Sequence, residues 1–127
     1  MYAKSFRDLQ VYQQARELAR DVFDVSKTFP KEESYSLTDQ IRRSSRSIGA
    51  QIAEAWGKRR HEAHFVSKLT DSEAEQMESQ HWIETARDCG YLTANVRDSL
   101  LERCESIGRM LQSMISKAPQ FCRARRS

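Results

Sequence analysis

Two stretches of the chain concentrate side chains that can do chemistry. Between Gln40 and Arg60 six basic residues, Arg42, Arg43, Arg46, Lys58, Arg59 and Arg60, stand against one acid, Glu54. Guanidinium forks meet phosphate oxygens in pairs, and Arg42 and Arg46, four apart, share one face of a helix. These six are therefore candidate nucleic-acid-binding residues. From Glu62 to Asp88 the sign reverses, with Glu62, Asp71, Glu73, Glu75, Glu78, Glu84 and Asp88 against Lys68 and Arg87. This supplies the competing reading, in which the arginines pair with carboxylates of that segment, inside one molecule or across a subunit boundary. Arg123, Arg125 and Arg126 belong to a stretch, Phe121 to Ser127, without helical periodicity. It is expected to be a flexible end adding weak, salt-sensitive attraction for phosphate.

The other reactive types do not assemble into a catalytic or metal-binding set. Glu54 sits among Ile52, Ala53 and Ala55 and calls for a cationic partner, expected to be Arg42, Arg43 or an arginine of a neighbouring subunit. Catalysis by Glu54 needs a second acid or a nucleophile, and the sequence places neither. His61 and His64 can turn two nitrogens to one side of a helix, but no cysteine or acid follows at a spacing that completes a zinc set. Glu78-Ser79-Gln80-His81 has the spacing of half a di-iron site and occurs once. Phosphate-cradling glycine loops and nucleophile elbows are missing. The expectation is a non-enzyme without cofactor, catalytic residue or metal site. Three cysteines, an odd number, fit a reducing compartment better than a disulfide framework. Cys89 and Cys104 read as small buried hydrophobes, and Cys122 as an exposed thiol. No apolar run reaches membrane-spanning length, and Met1 to Leu9 has no signal-peptide core, so a cytoplasmic protein without a membrane partner is expected.

The elements that must position these residues are helices. In 127 residues there are only 4 glycines and 2 prolines, with 39% hydrophobic and 31% charged residues, which favours a single domain of long helices over a loop-rich or all-β chain. Val11, Ala15, Leu18, Val22, Val25 and Phe29 alternate spacings of four and three, the stripe of an amphipathic helix that Phe29-Pro30 stops. Leu37, Ile41, Ser44 or Ser45, Ile48, Ile52 and Ala55 form a second seam, with Ser36 as its expected cap and Gly57 as a left-handed stop. The third seam is Phe65, Leu69, Ser72, Gln76, Ser79, Ile83 and Ala86, and the fourth is Val96, Leu100, Cys104, Ile107, Leu111 and Met114, capped by Thr93 or Asn95. The spacing predicts helices over 6–28, 36–57, 61–89 and 94–117, with a basic flexible tail over 120–127. Short joints then imply an all-α, antiparallel up-down-up-down four-helix bundle. Tyr2, Phe6, Tyr12, Phe23, Tyr35, Trp56, Trp82 and Tyr91 exceed what one narrow core holds, which predicts a homo-oligomer.

Phe6, Leu9, Val11, Tyr12 and Ala15, then Phe29-Pro30, Glu33, Leu37 and Gln40-Ile41-Arg42-Arg43, resemble the four helix bundle protein family. Ser47-Ile48, Ile52-Ala53-Glu54 and Gly57 look like its most recognisable stretch, and Ser72, Glu75, Gln80 and Gly90-Tyr91-Leu92 like its third-helix pattern. The likeness spans roughly residues 6–115. Gln51 and Ala55 depart from it, standing where the family usually has asparagine and glycine. The family includes proteins encoded in intervening sequences of bacterial large-subunit ribosomal RNA and is similar to the accessory protein of diversity-generating retroelements. The resemblance implies a homopentamer with RNA or DNA as partner in the retroelement branch, and a reverse transcriptase or ribosomal component as a partner by analogy. Many members have no assigned activity. A structural or scaffolding oligomer with no nucleic-acid function is the alternative.

Overall fold

A computed structural model of the chain describes residues 3–123. Among them the regular structure is helical: α1 Gln10–Ser26, α2 Leu37–Gly57, α3 Glu62–Asp88, α4 Ala94–Ser116 and a short α5 Ala118–Arg123. Residues Phe6–Asp8 form a separate 3-10 turn instead of opening α1. There Ser5 and Asp8 cap each other's backbone amides, so the chain turns before Leu9 and the helix begins after it. α1 packs on α2 and α4, and α3 packs on the same two helices, with α2 and α3 sharing the most extensive contact.

The seams read from periodicity line the core. All seven third-helix positions, from Phe65 to Ala86, are buried, as are Ile41, Ile48, Ile52, Leu100, Cys104, Ile107 and Leu111. At the end of α1 the buried residue is Ser26, while Val25 is only partly covered. The polar members of α3 are satisfied inside the interface. Ser72 Oγ donates to the Ile48 carbonyl at 2.8 Å, and Ser79 Oγ stands 3.1 Å from Ser44 Oγ and 2.9 Å from the Glu75 carbonyl oxygen. Small hydroxyl residues let the two backbones approach while leaving no buried side-chain N or O without a partner among the described residues. Across α2 and α3 the pairs are Ser44 with Ser79, Ile48 with Ser72, and Glu54 with Lys68, in descending register. Across α3 and α4, Gln112 donates to Glu73 and Arg97 to Glu84.

Several expectations about the joints change. Ser36 precedes α2, but its hydroxyl caps no amide and bonds Glu33 Oε1 at 2.7 Å instead. Glu33 Oε2 accepts the Tyr91 hydroxyl at 2.9 Å, tying the joint before α2 to the turn after α3. These two donors hold the Glu33 carboxyl below its ordinary range, Ser36 more than Tyr91, and the hydrogen bond to Glu33 pushes the Tyr91 phenol up to about 12. Gly57 is the last residue of α2 and has no left-handed φ; that conformation belongs to Gly90, at φ 81°, where Tyr91 N–H bonds back to the Ala86 carbonyl and closes α3. Thr93 caps α4 by accepting the Val96 amide.

The described part of the segment expected to be a flexible tail, residues 120–123, is helical and folds back instead. Ala118 and Cys122 are buried, and Phe121 lies 5.8 Å from the Phe65 ring, so α5 covers the apolar end of α3. Cys122 is thereby buried, and Cys89, expected inside, is exposed at the end of α3. The two reversals have separate causes: Cys122 is covered because the six-residue α5 docks over Phe65 at the start of α3, whereas Cys89 is the C-cap just past the far end of α3, where no described element covers it. Arg125, Arg126 and Tyr2 lie outside the described residues. Of the other aromatics expected in surplus, only Tyr35 is fully exposed, at 97%; Phe6, Tyr12, Phe23, Trp56, Trp82 and Tyr91 are partly covered.

Candidate nucleic-acid interface

The six basic candidates divide among three places. Arg43 faces the acidic helix, where its charge acts on Glu75; burial, then Glu78, raise that carboxyl against the opposing pull of Arg43. Arg42 and Arg46 turn the other way, toward α1, and their guanidinium carbons lie 4.6 and 5.5 Å from the centre of the Phe23 ring. Lys27 sits over the same ring at 4.8 Å. Arg42 is fixed further by its Nε, which donates to Ser26 Oγ at 2.7 Å, while the Ser26 hydroxyl donates to the Phe23 carbonyl at 2.9 Å. Lys58, Arg59 and Arg60 occupy the turn after α2, about 18 Å beyond Arg46 along the helix. Arg59 stacks on Trp56 at 3.5 Å and donates to the Trp56 carbonyl. One continuous six-residue surface does not exist.

A different basic surface does. Between α1 and α2 runs a groove of about 570 Å³, within the size range of ligand sites. Ala15, Ala19, Gly49, Ala50 and Ala53 give it a low floor, Phe6, Tyr12 and Phe23 give it aromatic walls, and Arg16, Arg20 and Arg46 supply its charge. No carboxylate lines it. Among the described residues no carboxylate lies at ion-pair distance from Arg16, Arg20, Arg42 or Arg46, whereas Lys27 pairs with Asp24 at 3.5 Å. Like charges gathered on one rim repel one another, and an anion seated between them removes that cost.

Arg16 and Arg20 are absent from the sequence-derived set although their signal was present. They stand with Phe23 and Lys27 at helical spacing on one flank of the α1 seam. Along the chain they are cancelled by Glu17, Asp21 and Asp24; in the fold Asp21 is drawn away to Arg103 of α4. Net charge over consecutive residues hides a stripe that only a helix makes visible.

The remaining candidates find other roles. Glu54 is exposed and pairs with Lys68 at 3.2 Å, in place of the expected Arg42 or Arg43. The reason is register: Lys68 of α3 lies across from the last turns of α2, and Arg42 lies at its other end. His61 and His64 are exposed with rings 5.2 Å apart. Among the described residues no group of three or more histidine, cysteine or acidic side chains is placed to hold a metal. Glu78 accepts the Trp82 indole N–H at 3.0 Å, and His81 rests against the same ring. Among the described residues no helix is long and apolar enough to cross a membrane.

No curated protein matches this chain. A solved structure from Bacteroides thetaiotaomicron, described as a protein of unknown function from the S23 ribosomal protein family, is similar to it at 29% identity and a TM-score of 0.75, covering 84% of this chain and 95% of that one. The family model for the 23S rRNA-intervening sequence protein matches residues 7–113, which takes in α1, α2, α3 and nearly all of α4. With four long helices, a groove between the first two and that match over most of its length, the chain belongs to the 23S rRNA-intervening sequence protein family.

Proposed function

We propose that this protein is a non-enzymatic, cytoplasmic nucleic-acid-binding module. It is a single domain with up-down-up-down topology, working as a homo-oligomer, a pentamer by resemblance. The descending register of contacts between successive helices supports the topology. The observation that carries the binding reading is the α1–α2 groove, where Arg16, Arg20 and Arg46 meet without a carboxylate and Arg42 stands beside them. Phosphate is an anion that guanidinium forks recognise bidentately. The acidic face of α3, with Asp71, Glu75 and Glu78 presented on successive turns, supports docking between copies by charge, as does the exposed Tyr35. A reverse transcriptase or ribosomal component is the kind of protein partner that the family implies.

Binding of a labelled unstructured oligonucleotide, structured RNA and duplex DNA across a salt series tests this reading. The expected result is affinity that falls with salt and is lost in Arg16→Gln/Arg20→Gln/Arg46→Gln, with light scattering showing that the variant still assembles. No binding of the wild type at low salt, or a variant that falls apart into monomers, assigns those arginines to assembly and makes the protein a scaffold.

A further inference from the structure

We propose that the α1–α2 groove selects single-stranded over duplex nucleic acid, taking phosphates on Arg16, Arg20 and Arg46 and unstacked bases against Tyr12 and the guanidinium planes carried by Phe23. This rests on the nucleic-acid reading above and specifies its ligand.

The argument comes from what lies beside the charge. A surface that reads only a duplex backbone needs cations spaced along it and gains nothing from recessed rings, because the duplex keeps its bases stacked inside. Here the cations and the rings are interleaved. Tyr12 stands in the groove wall with Arg16 Nη1 3.4 Å from its hydroxyl, and Phe6 meets Tyr12 edge to face at 4.9 Å. About three turns along α1, Phe23 lies beneath Arg42, Arg46 and Lys27, and guanidinium groups over a ring offer a second place for a base to stack. Between these two stacking positions the floor is methyl groups and Gly49, so a planar group can sit low without displacing a side chain. A volume of about 570 Å³ has room for bases lifted out of a stack. A positive channel with aromatic platforms is the arrangement that holds single strands with little sequence preference.

Arg42 acts here as a positioning residue. Held by Ser26 and Phe23, it fixes the ring that Arg46 covers. Arg46 is exposed and has no carboxylate partner, so its replacement leaves the fold intact.

The test compares an unstructured oligonucleotide with a duplex of the same sequence, on the wild type and on Arg46→Gln, Arg16→Gln/Arg20→Gln and Tyr12→Leu. The single strand is expected to bind at least tenfold more tightly than the duplex. Its salt slope should fall by about 1.4 when Arg16 and Arg20 are both replaced, at about 0.7 per phosphate contact on a single strand. Tyr12→Leu is expected to weaken the single strand about tenfold while leaving the salt slope unchanged, since a base stack carries no counterion. Circular dichroism checks that Tyr12→Leu is folded, and Arg46→Gln supplies an independent readout of the same groove. Equal affinity for strand and duplex overturns the selectivity and leaves the nucleic-acid reading standing. A single-strand preference untouched by all three variants overturns the groove as its site. Failure of the wild type to bind either ligand at low salt overturns both readings.

Discussion

The two glycines inside long helices make a matched pair whose replacement by alanine should move stability in opposite directions. Gly49 lies in α2 and Gly108 in α4, so each substitution gains about 1 kcal/mol of helix propensity. The neighbours then decide. A Cβ at position 49 would meet Tyr12 Cε1 at 3.6 Å and Ala15 Cβ at 3.9 Å, ordinary contacts that add burial without strain. At position 108 it would stand 2.9 Å from Gln76 Nε2 and 3.5 Å from Gln76 Cδ. Gln76 has little freedom to withdraw, because it is 4% exposed and its Oε1 accepts from Gln80 Nε2 at 2.8 Å. Overpacking costs about 1–3 kcal/mol and a lost hydrogen bond about 1 kcal/mol. After the propensity gain, Gly108→Ala should lose about 1–3 kcal/mol while Gly49→Ala gains up to about 1 kcal/mol. At about 4 °C per kcal/mol for a chain of this size, the two variants should melt roughly 10 °C apart. Urea and thermal denaturation followed by circular dichroism, at one fixed protein concentration so that association between copies contributes equally, measure the difference. Adding Gln76→Ala to Gly108→Ala should recover part of the loss. A Gly108→Ala protein as stable as Gly49→Ala would refute the claim that the α3–α4 contact is closed around Gln76.

Thiol accessibility checks the reversed burial of the cysteines: Cys89 should react with a maleimide in the native protein, and Cys104 and Cys122 only after unfolding. Burial pushes the Cys104 thiol up to about 12, which further suppresses its thiolate at neutral pH. The Tyr91–Glu33 contact should appear as a phenol that titrates near pH 12 by NMR and shifts downward in Glu33→Gln, where the acceptor has lost its charge. Because folding raises that pKa, the stabilisation is fully present below the unfolded value near pH 10 and is lost as pH rises through about 12. Glu33 acts in the opposite sense: its lowered pKa makes its contribution present above the ordinary carboxylate range and lost as pH falls through the folded value. A Tyr91 titration unmoved by Glu33→Gln would break the proposed tie between the two joints.

Most of the scaffold was legible in the chain because helical burial is periodic. Seven residues of α3, three of them polar, were assigned to the core by spacing alone, and all seven are buried. Serine at Ser72 and Ser79 would be an odd core choice by hydrophobicity, yet the period outweighs residue type, since small hydroxyls can satisfy themselves on a nearby carbonyl. Joints were read less well. Ser36 had the right identity for a cap and an available better partner in Glu33, a competition among local contacts that identity does not settle.

The functional surface was only half legible, for a different physical reason. Arg42 and Arg46 were found because they stand close together in the chain, whereas Arg16 and Arg20 come from another helix and are cancelled in a charge count by Glu17, Asp21 and Asp24, of which Asp21 pairs with Arg103 of α4. Charge acts through space, over about one Debye length, and its neighbours are chosen by packing. The sequence by itself therefore determined the helices, their buried faces and the presence of cations. Which cations meet which carboxylates was decided only by tertiary structure, because that depends on which helix faces pack together: Arg43 turns to Glu75, Glu54 to Lys68, and Arg46 to an acid-free groove shared with Arg16 and Arg20.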